Sequence, residues 1–453
     1  MTIKRRWSTV AAGLTGIALL LTACGGDDSD DSDSSTESNG AEGSGGDAAE
    51  EPAEPEEPIT LEFQTLAWQT ASMEANEEIV DAWNDEHPNI QVDLLQGDWN
   101  NVNDQLLTAF EGGTAPDVFH YESTVLQEFG DRGNVLDLSG YLSDEIRSDI
   151  REGAWDTVTY DDAVYGVPFL QESQVVFANA TILEDAGIEL PTVDDPWTWD
   201  EFTEVAAELT TDDRYGAVYP LKSPTNRILN LSRNYGAEFF EDPSGEATAV
   251  FGDAEAEVLG RIHDMIYTDE SASPDGLGMS STDALPAFFD GQYAMLPGAI
   301  WLRQQLMEQA PDDFEWVTLP ALEGDSQQQG AVSQTLSVSA DTEYPEYAVQ
   351  FIEYFLNAEN QVKLAAGDWL LPTSQEAAEA PELNDPETGW DVAVATADVL
   401  EIAPFQLVKG FEEWKAKVSE PSLQQFFADE ISLDELGAKL TGEGNDVLER
   451  YRR

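Results

Sequence analysis

The sequence predicts an α/β fold of two compact lobes, and three observations carry that prediction. Between Ile59 and Tyr121 the apolar residues alternate at period two and then recur at helical spacing, in the order β-α-β-α-β. Segments of the same mixed character recur along the rest of the chain, with no short internal repeat. Finally, 453 residues with a single cysteine must draw their stability from a large core, which at this length divides naturally between two lobes.

The elements follow in order. Ile59, Leu61 and Phe63 alternate as a strand that leads through Leu66 into Trp68. Met73, Ile79, Val80 and Trp83 lie near one face of a helix, and His87-Pro88 ends it, because the residue before proline disfavours the helical region. Ile90, Val92 and Leu94 make a second strand. Val102, Leu106 and Phe110 repeat at helical spacing up to Gly112-Gly113, where glycine can take the left-handed cap. Val118 to Tyr121 reads as a third strand. Ligands of open α/β sheets sit beyond the carboxyl ends of the strands, and Trp68-Gln69 and Tyr121-Glu122-Ser123 fall at two such ends. Further on, Tyr165 to Phe169 and Val175 to Phe177 are extended; the mostly polar Leu170-Gln171-Glu172-Ser173 between them marks a crossover. Thr198 and Glu201 have capping-box spacing before a helix containing Phe202, Val205 and Leu209. Helical patterns recur at Val258-Ile262-Ile266 and Leu285-Phe288-Phe289. Met295-Leu296 is a strand, and Trp301 follows a Pro-Gly turn. Val332 to Val338 is another strand, and Ala348, Phe351, Ile352 and Phe355 share a helix face behind Pro345.

The amino-terminal residues read as an address. Lys4, Arg5 and Arg6 precede an apolar run from Trp7 to Leu21, as in an export signal. The run is short of the roughly 20 apolar residues of a permanent span. It ends in Leu21-Thr22-Ala23-Cys24, which resembles the bacterial lipobox. That resemblance implies a signal peptide over residues 1–23, cleavage before Cys24, and a lipid on Cys24 that holds the protein to the extracellular face of the cell membrane. An ordinary secretory peptide with an incidental cysteine is the alternative. From Gly25 to Pro58 the chain is almost wholly Asp, Glu, Ser, Gly, Ala and Pro, too polar to bury a core, so residues 24–58 are expected to form a disordered acidic tether. The formal net charge of −71, from 91 acidic and 20 basic residues, excludes a nucleic-acid partner, which needs clustered Lys and Arg. It also suggests adaptation to high salt.

Beyond these patterns, the chain resembles the extracellular solute-binding proteins of sugar ATP-binding-cassette importers, the maltose-binding-protein-like family. The matching pieces run in the family's order: Ala82-Trp83-Asn84-Asp85-Glu86-His87-Pro88-Asn89-Ile90-Gln91-Val92, then Gly112-Gly113-Thr114-Ala115-Pro116-Asp117-Val118, then Tyr165-Gly166-Val167-Pro168. Ala186-Gly187-Ile188 with Trp199-Asp200-Glu201-Phe202 follows, then Phe288 to Met295 with Trp301, then Ala348 to Phe355 with Asn360-Gln361. The chain departs from the family pattern at Asn179-Ala180-Thr181, where Asn-Lys is usual, and at Pro297-Gly298-Ala299-Ile300, where a Gly-rich turn is usual. The resemblance implies a periplasmic-binding-protein-like fold with a ligand cleft between two lobes. The first would hold residues 59–168 and 303–357, the second residues 169–302 and 358–453. It implies a sugar or oligosaccharide ligand delivered to membrane permease subunits, by a protein expected to be a monomer. A binding protein that feeds a membrane sensor, and a glycoside-acting enzyme, are the alternatives.

A sugar has weakly apolar ring faces that stack on aromatic planes, and hydroxyls that need matched donors and acceptors. Candidates are therefore aromatic and polar residues at strand ends. Trp301 resembles the family's stacking tryptophan, and Glu172 its crossover carboxylate. Trp68, Gln69, Tyr121, Glu122 and Ser123 lie at strand ends. Asn226, in Ser223-Pro224-Thr225-Asn226-Arg227, and Trp369, in Gly367-Asp368-Trp369, resemble family loops that face the cleft. For each, core packing or a solvated surface is the competing role. Trp83, Trp155 and Trp316 are assigned to the core. Few Lys or Arg lie near the candidates in sequence, which speaks against a phosphorylated or carboxylated ligand. His87, His120 and His263 are too scattered for a metal, and neither a Gly-rich phosphate loop nor a nucleophile elbow is present. No catalytic residue, metal or cofactor is expected.

Overall fold

The structure is a computed structural model that describes residue 55 and residues 57–384 and 389–452. The signal peptide, Cys24 and nearly all of the expected tether lie outside the described residues.

Two sheets organise the chain. Strand β1 (Ile59–Thr65) pairs in parallel with β2 (Ile90–Gln96) along its whole length, and on its other side with β3 (Val118–Glu122). Helices α1 (Thr70–Glu86) and α2 (Val102–Gly112) make the crossovers, and Gly113 ends α2 in the left-handed region at φ 61°. The β-α-β-α-β reading is therefore the observed one. Trp83 shows why α1 docks where it does: the ring is fully buried, and its Nε1 donates to the Ile90 carbonyl at 2.8 Å, so a large apolar group is buried with its polar atom satisfied. Trp155 and Trp316 pack against the same core, half-buried.

The other strands of these two sheets are β4 (Val167–Glu172), β5 (Gln174–Asn179), β6 (Tyr215–Ala217), β7 (Tyr293–Ala299), β8 (Trp316–Leu319), β9 (Gln329–Val338), β10 (Leu371–Pro372) and β11 (Leu400–Ile402). The first sheet has the order β10-β4-β9-β3-β1-β2, with β11 also on β9; the second has the order β8-β5-β7-β6. Strands β4 and β5 belong to different sheets and only Ser173 separates them, so the chain crosses from one sheet to the other in one step. Both faces of β5 are buried: Val175 and Phe177 join the core of the first sheet, while Val176 and Ala178 face a second core with Phe202, Phe240 and Trp414. Helices of the second sheet's side include α3 (Trp199–Leu209), with the expected Thr198–Glu201 capping box formed, α4 (Thr225–Ser232) and α5 (Asp253–Tyr267).

Two expectations need correction. The sheets divide the chain elsewhere than at 302/303 and 357/358. Strand β8 pairs β5, so the chain stays with the second sheet through Leu319 and returns to the first between residues 320 and 328. After α6 (Leu302–Gln309) and α7 (Pro345–Phe355), helix α8 (Ala358–Asp368) packs along α1, and β10 pairs β4, so both lie with the first sheet. Pairing partners decide this, and a strand does not advertise its partner. The second correction concerns Pro297-Gly298, which is not a turn but the continuation of β7. Proline fits there because β6 ends at Ala217, opposite Met295, so no strand on that side needs a donor from Pro297.

Candidate functional site

Strands β1, β3 and β4 end near the point where the chain changes sheets, and the end of β7 is tied to the same point by a hydrogen bond from the Ile300 amide to the Ser173 carbonyl at 3.0 Å. This convergence brings together side chains far apart in sequence. Trp301 directly precedes α6, and its Nε1 donates to Glu172 Oε2 at 2.9 Å. Gln174 Nε2 donates to the other carboxylate oxygen at 3.0 Å. Trp68, three residues past β1, meets Trp301 edge-to-face with ring centroids 5.6 Å apart, and remains 43% exposed. An indole of that size left in water beside a fixed partner is an unfilled aromatic surface.

The electrostatics of this junction are set by burial. Strand β9 runs between β3 and β4, with Gln334 opposite Glu122 and Val332 opposite Glu172. Burial pushes the Glu172 carboxyl up to about 7, and the Glu122 charge adds to the effect. The Arg227 charge and the bonds from Trp301 and Gln174 oppose it. Burial likewise raises Glu122; Lys415 opposes that shift and Glu412 reinforces it. Arg227, on α4, has its guanidinium lowered by burial, with Glu172 working the other way. Its Nη1 donates to the Pro220 carbonyl at 2.6 Å and its Nη2 to Ser281 Oγ at 2.8 Å.

The candidates named from the sequence separate into two groups. Trp68, Glu122, Glu172 and Trp301 come together at the junction. Tyr121, next to Glu122, is half-buried, with its ring 6.2 Å from that of Trp99. Asn226 lies in the first turn of α4 beside Arg227, and its Oδ1 is buried with no hydrogen-bond partner. The others are occupied by the protein itself. Gln69 is buried, donating to the Asp368 carbonyl and accepting from Gln305, both at 3.0 Å. Ser123 is buried between Gln406 Oε1 at 3.0 Å and the Ser333 amide at 3.2 Å. Trp369 is only 4% exposed; its ring stacks on Trp390 at 4.1 Å, and the Arg303 guanidinium lies 4.4 Å from its centroid. A cleft-facing role for Trp369 does not fit that packing.

Three residues at the site escaped sequence reasoning: Gln174, Arg227 and Lys415. The first two adjoin flagged positions, so their neighbours were the available signal. Lys415 had none: it enters from a π-helical turn, Lys415–Ser419, far along the chain. The expectation that few basic residues attend the site is corrected accordingly. Among the described residues no cluster of His, Cys, Asp and Glu is arranged to hold a metal ion, and no helix is long and apolar enough to cross a membrane.

Known proteins place this geometry in context. The chain is 45% identical over 373 residues to the lipoprotein of the oleD 5′ region of Streptomyces antibioticus, covering 82% of this chain and 83% of that protein. It is 25% identical over 306 residues to the arabinooligosaccharide-binding protein of Halalkalibacterium halodurans, covering 65% and 66%. Its fold is similar to that of the sugar-binding protein MalE of Xanthomonas citri, with a TM-score of 0.74 and 23% identity over 87% of this chain and 98% of that one. The chain belongs to the bacterial extracellular solute-binding protein family, whose sequence profile matches residues 67–362.

Proposed function

We propose that this protein binds a sugar or oligosaccharide outside the cell and hands it to the permease subunits of an ATP-binding-cassette importer, without catalysing a reaction. The observation that carries this reading is the half-exposed Trp68 set against Trp301, whose indole is fixed by Glu172 where the chain passes between sheets. Aromatic surface beside partly buried carboxylates suits a ligand with apolar ring faces and many hydroxyls. The names of the arabinooligosaccharide-binding and MalE relatives support the same ligand class. In this reading the two sheets head two lobes, the ligand lies between them, and Trp68, Tyr121, Glu122, Glu172, Asn226 and Trp301 reach it. A lipid on Cys24 keeps the protein, a monomer, at the outer face of the membrane; the lipoprotein relative supports that anchor.

A thermal-unfolding screen of the exported chain against mono-, di- and oligosaccharides tests the reading. A ligand at about 100 times its dissociation constant adds about 2.7 kcal/mol of stability. Solution scattering with the same sugar should show compaction, because contacts to both lobes favour the closed state. If no saccharide stabilises the protein, the reading fails.

A further inference from the structure

The backbone just past β1 is buried but has left the sheet. Pairing with β3 stops at Gln64 and pairing with β2 at Thr65, yet Thr65, Leu66, Ala67 and Gln69 are all buried. From Thr65 to Gln69 only Trp68 is exposed. A buried N–H or C=O without a partner is costly, so Leu66 and Ala67 need partners that the sheet no longer supplies.

Four side chains supply them. The Leu66 amide donates to His120 Nδ1 at 3.2 Å, and Trp99 Nε1 donates to the Leu66 carbonyl at 2.8 Å. The Ala67 amide donates to Thr65 Oγ1 at 3.1 Å, and Gln96 Nε2 donates to the Ala67 carbonyl at 2.8 Å. These side chains come from β1, β2, β3 and the loop after β2. The His120 and Trp99 rings also meet edge-to-face, with centroids 5.5 Å apart. Past Trp68, Gln69 bonds the Asp368 carbonyl and Gln305, and Gln305 lies on α6, the helix that Trp301 directly precedes. Trp68 is thus fastened on both sides along the chain, to the same framework that carries its ring partner.

His120 is chemically suited to its place. To accept from Leu66 its Nδ1 must carry no proton, and burial favours the neutral ring, pushing the imidazole down to about 3. The ring is itself buried, so its influence on a ligand has to pass through the backbone it holds.

We propose that His120 is a positioning residue for Trp68: with Trp99 and Gln96 it fixes the backbone of Leu66 and Ala67, so that the Trp68 indole stands against Trp301 before any sugar arrives. This inference rests on the reading of Trp68 as a sugar-stacking surface and adds what holds that surface in place. A side chain ordered in advance does not have to be ordered on binding, which strengthens binding.

The test is fluorine NMR of the intact exported chain labelled with fluorotryptophan, first without sugar. The line lost in Trp68→Phe belongs to Trp68. In His120→Phe, which keeps a ring and removes the acceptor, the Trp68 line should move, broaden or split, while the lines of Trp199 and Trp414, in the second core, stay in place. His120→Asn returns an acceptor near the Nδ1 position and should restore the Trp68 line. Should His120→Phe not fold, Gln96→Ala, a change at an exposed residue, takes its place and should move the same line. The second arm is calorimetric titration with the mono-, di- and oligosaccharides of the unfolding screen. His120→Phe should weaken binding roughly 2- to 10-fold, the range for ordering one large side chain, and His120→Asn by less than about twofold. In a Trp68→Ala background neither change should weaken binding further. An unmoved Trp68 line, a shift shared by the second-core tryptophans, no rescue by Asn, or an affinity loss that persists without Trp68 overturns the proposal. If Trp68→Ala itself leaves affinity unchanged, or if no saccharide binds, the reading of Trp68 as a sugar surface fails, and the spectra without sugar still decide whether His120 positions it.

Discussion

Trp301 and Trp369 both sit where an α-helix begins or ends, one ahead of α6 and the other directly after α8, yet the fold uses them differently. Trp301 keeps part of its surface open, with its N–H fixed by Glu172 and its ring against the half-exposed Trp68. Trp369 is held at φ 53°, in the left-handed region that costs a bulky residue energy, and is enclosed by Trp390 and Arg303. Arg303 also lies 4.6 Å from the centre of the Trp316 ring, so one guanidinium joins two tryptophans. A tryptophan beside a helix end is thus no signature of a binding site. What matters is whether the topology leaves one of its surfaces uncovered, and polar groups next to it.

The largest test of this contrast is stability without ligand. Trp369→Ala should cost about 3–5 kcal/mol in urea unfolding, as truncation of a buried tryptophan does. Trp301→Ala should cost less than about half of that, since its ring is only partly buried. Equal losses would erase the distinction and make Trp301 a packing residue.

Binding should show the reverse order. Once a sugar is found, Glu172→Ala should weaken it roughly 10- to 150-fold, corresponding to the loss of a charge-assisted bond of about 1.5–3 kcal/mol. Trp301→Ala should weaken it too, by removing a stacking surface. In Trp369→Ala, the folded fraction should bind within about threefold of wild type, since a one-bond loss would already exceed that. Calorimetric titration of the three variants decides the matter, and unchanged affinity in both junction variants would remove those residues from the site.

The smallest effect is on pH dependence. Because the Glu172 carboxyl is pushed up to about 7, the folded chain keeps a proton there that the unfolded chain has already lost. The stability tied to that proton is fully present below the ordinary carboxyl range and is lost as pH rises through about 7. Glu172→Gln stays neutral throughout, so its melting temperature should gain on wild type from about pH 4.5 to about pH 8. Trp369→Ala, which leaves the Glu172 carboxyl in place, should run parallel to wild type over the same range. A Glu172→Gln curve that also stays parallel would show that the carboxyl titrates in its ordinary range.

Local chemistry was readable from the sequence alone. The 3.6 and 2.0 periodicities set the β-α-β-α-β unit, Gly112-Gly113 marked a helix end, and Thr198 with Glu201 announced a capping box, because each of these depends on residues within one or two turns. The polar crossover at Glu172-Ser173 was legible for the same reason. Tertiary structure alone decided the rest. Only pairing shows that β8 stays with the second sheet while β10 returns to the first, and that Pro297 continues a strand. Only folding brings Arg227 and Lys415 to bear on Glu172 and Glu122, and only packing closes Trp369 while leaving Trp68 open. Burial and Coulomb energy depend on distance through space, and neighbours along the chain do not reveal that distance.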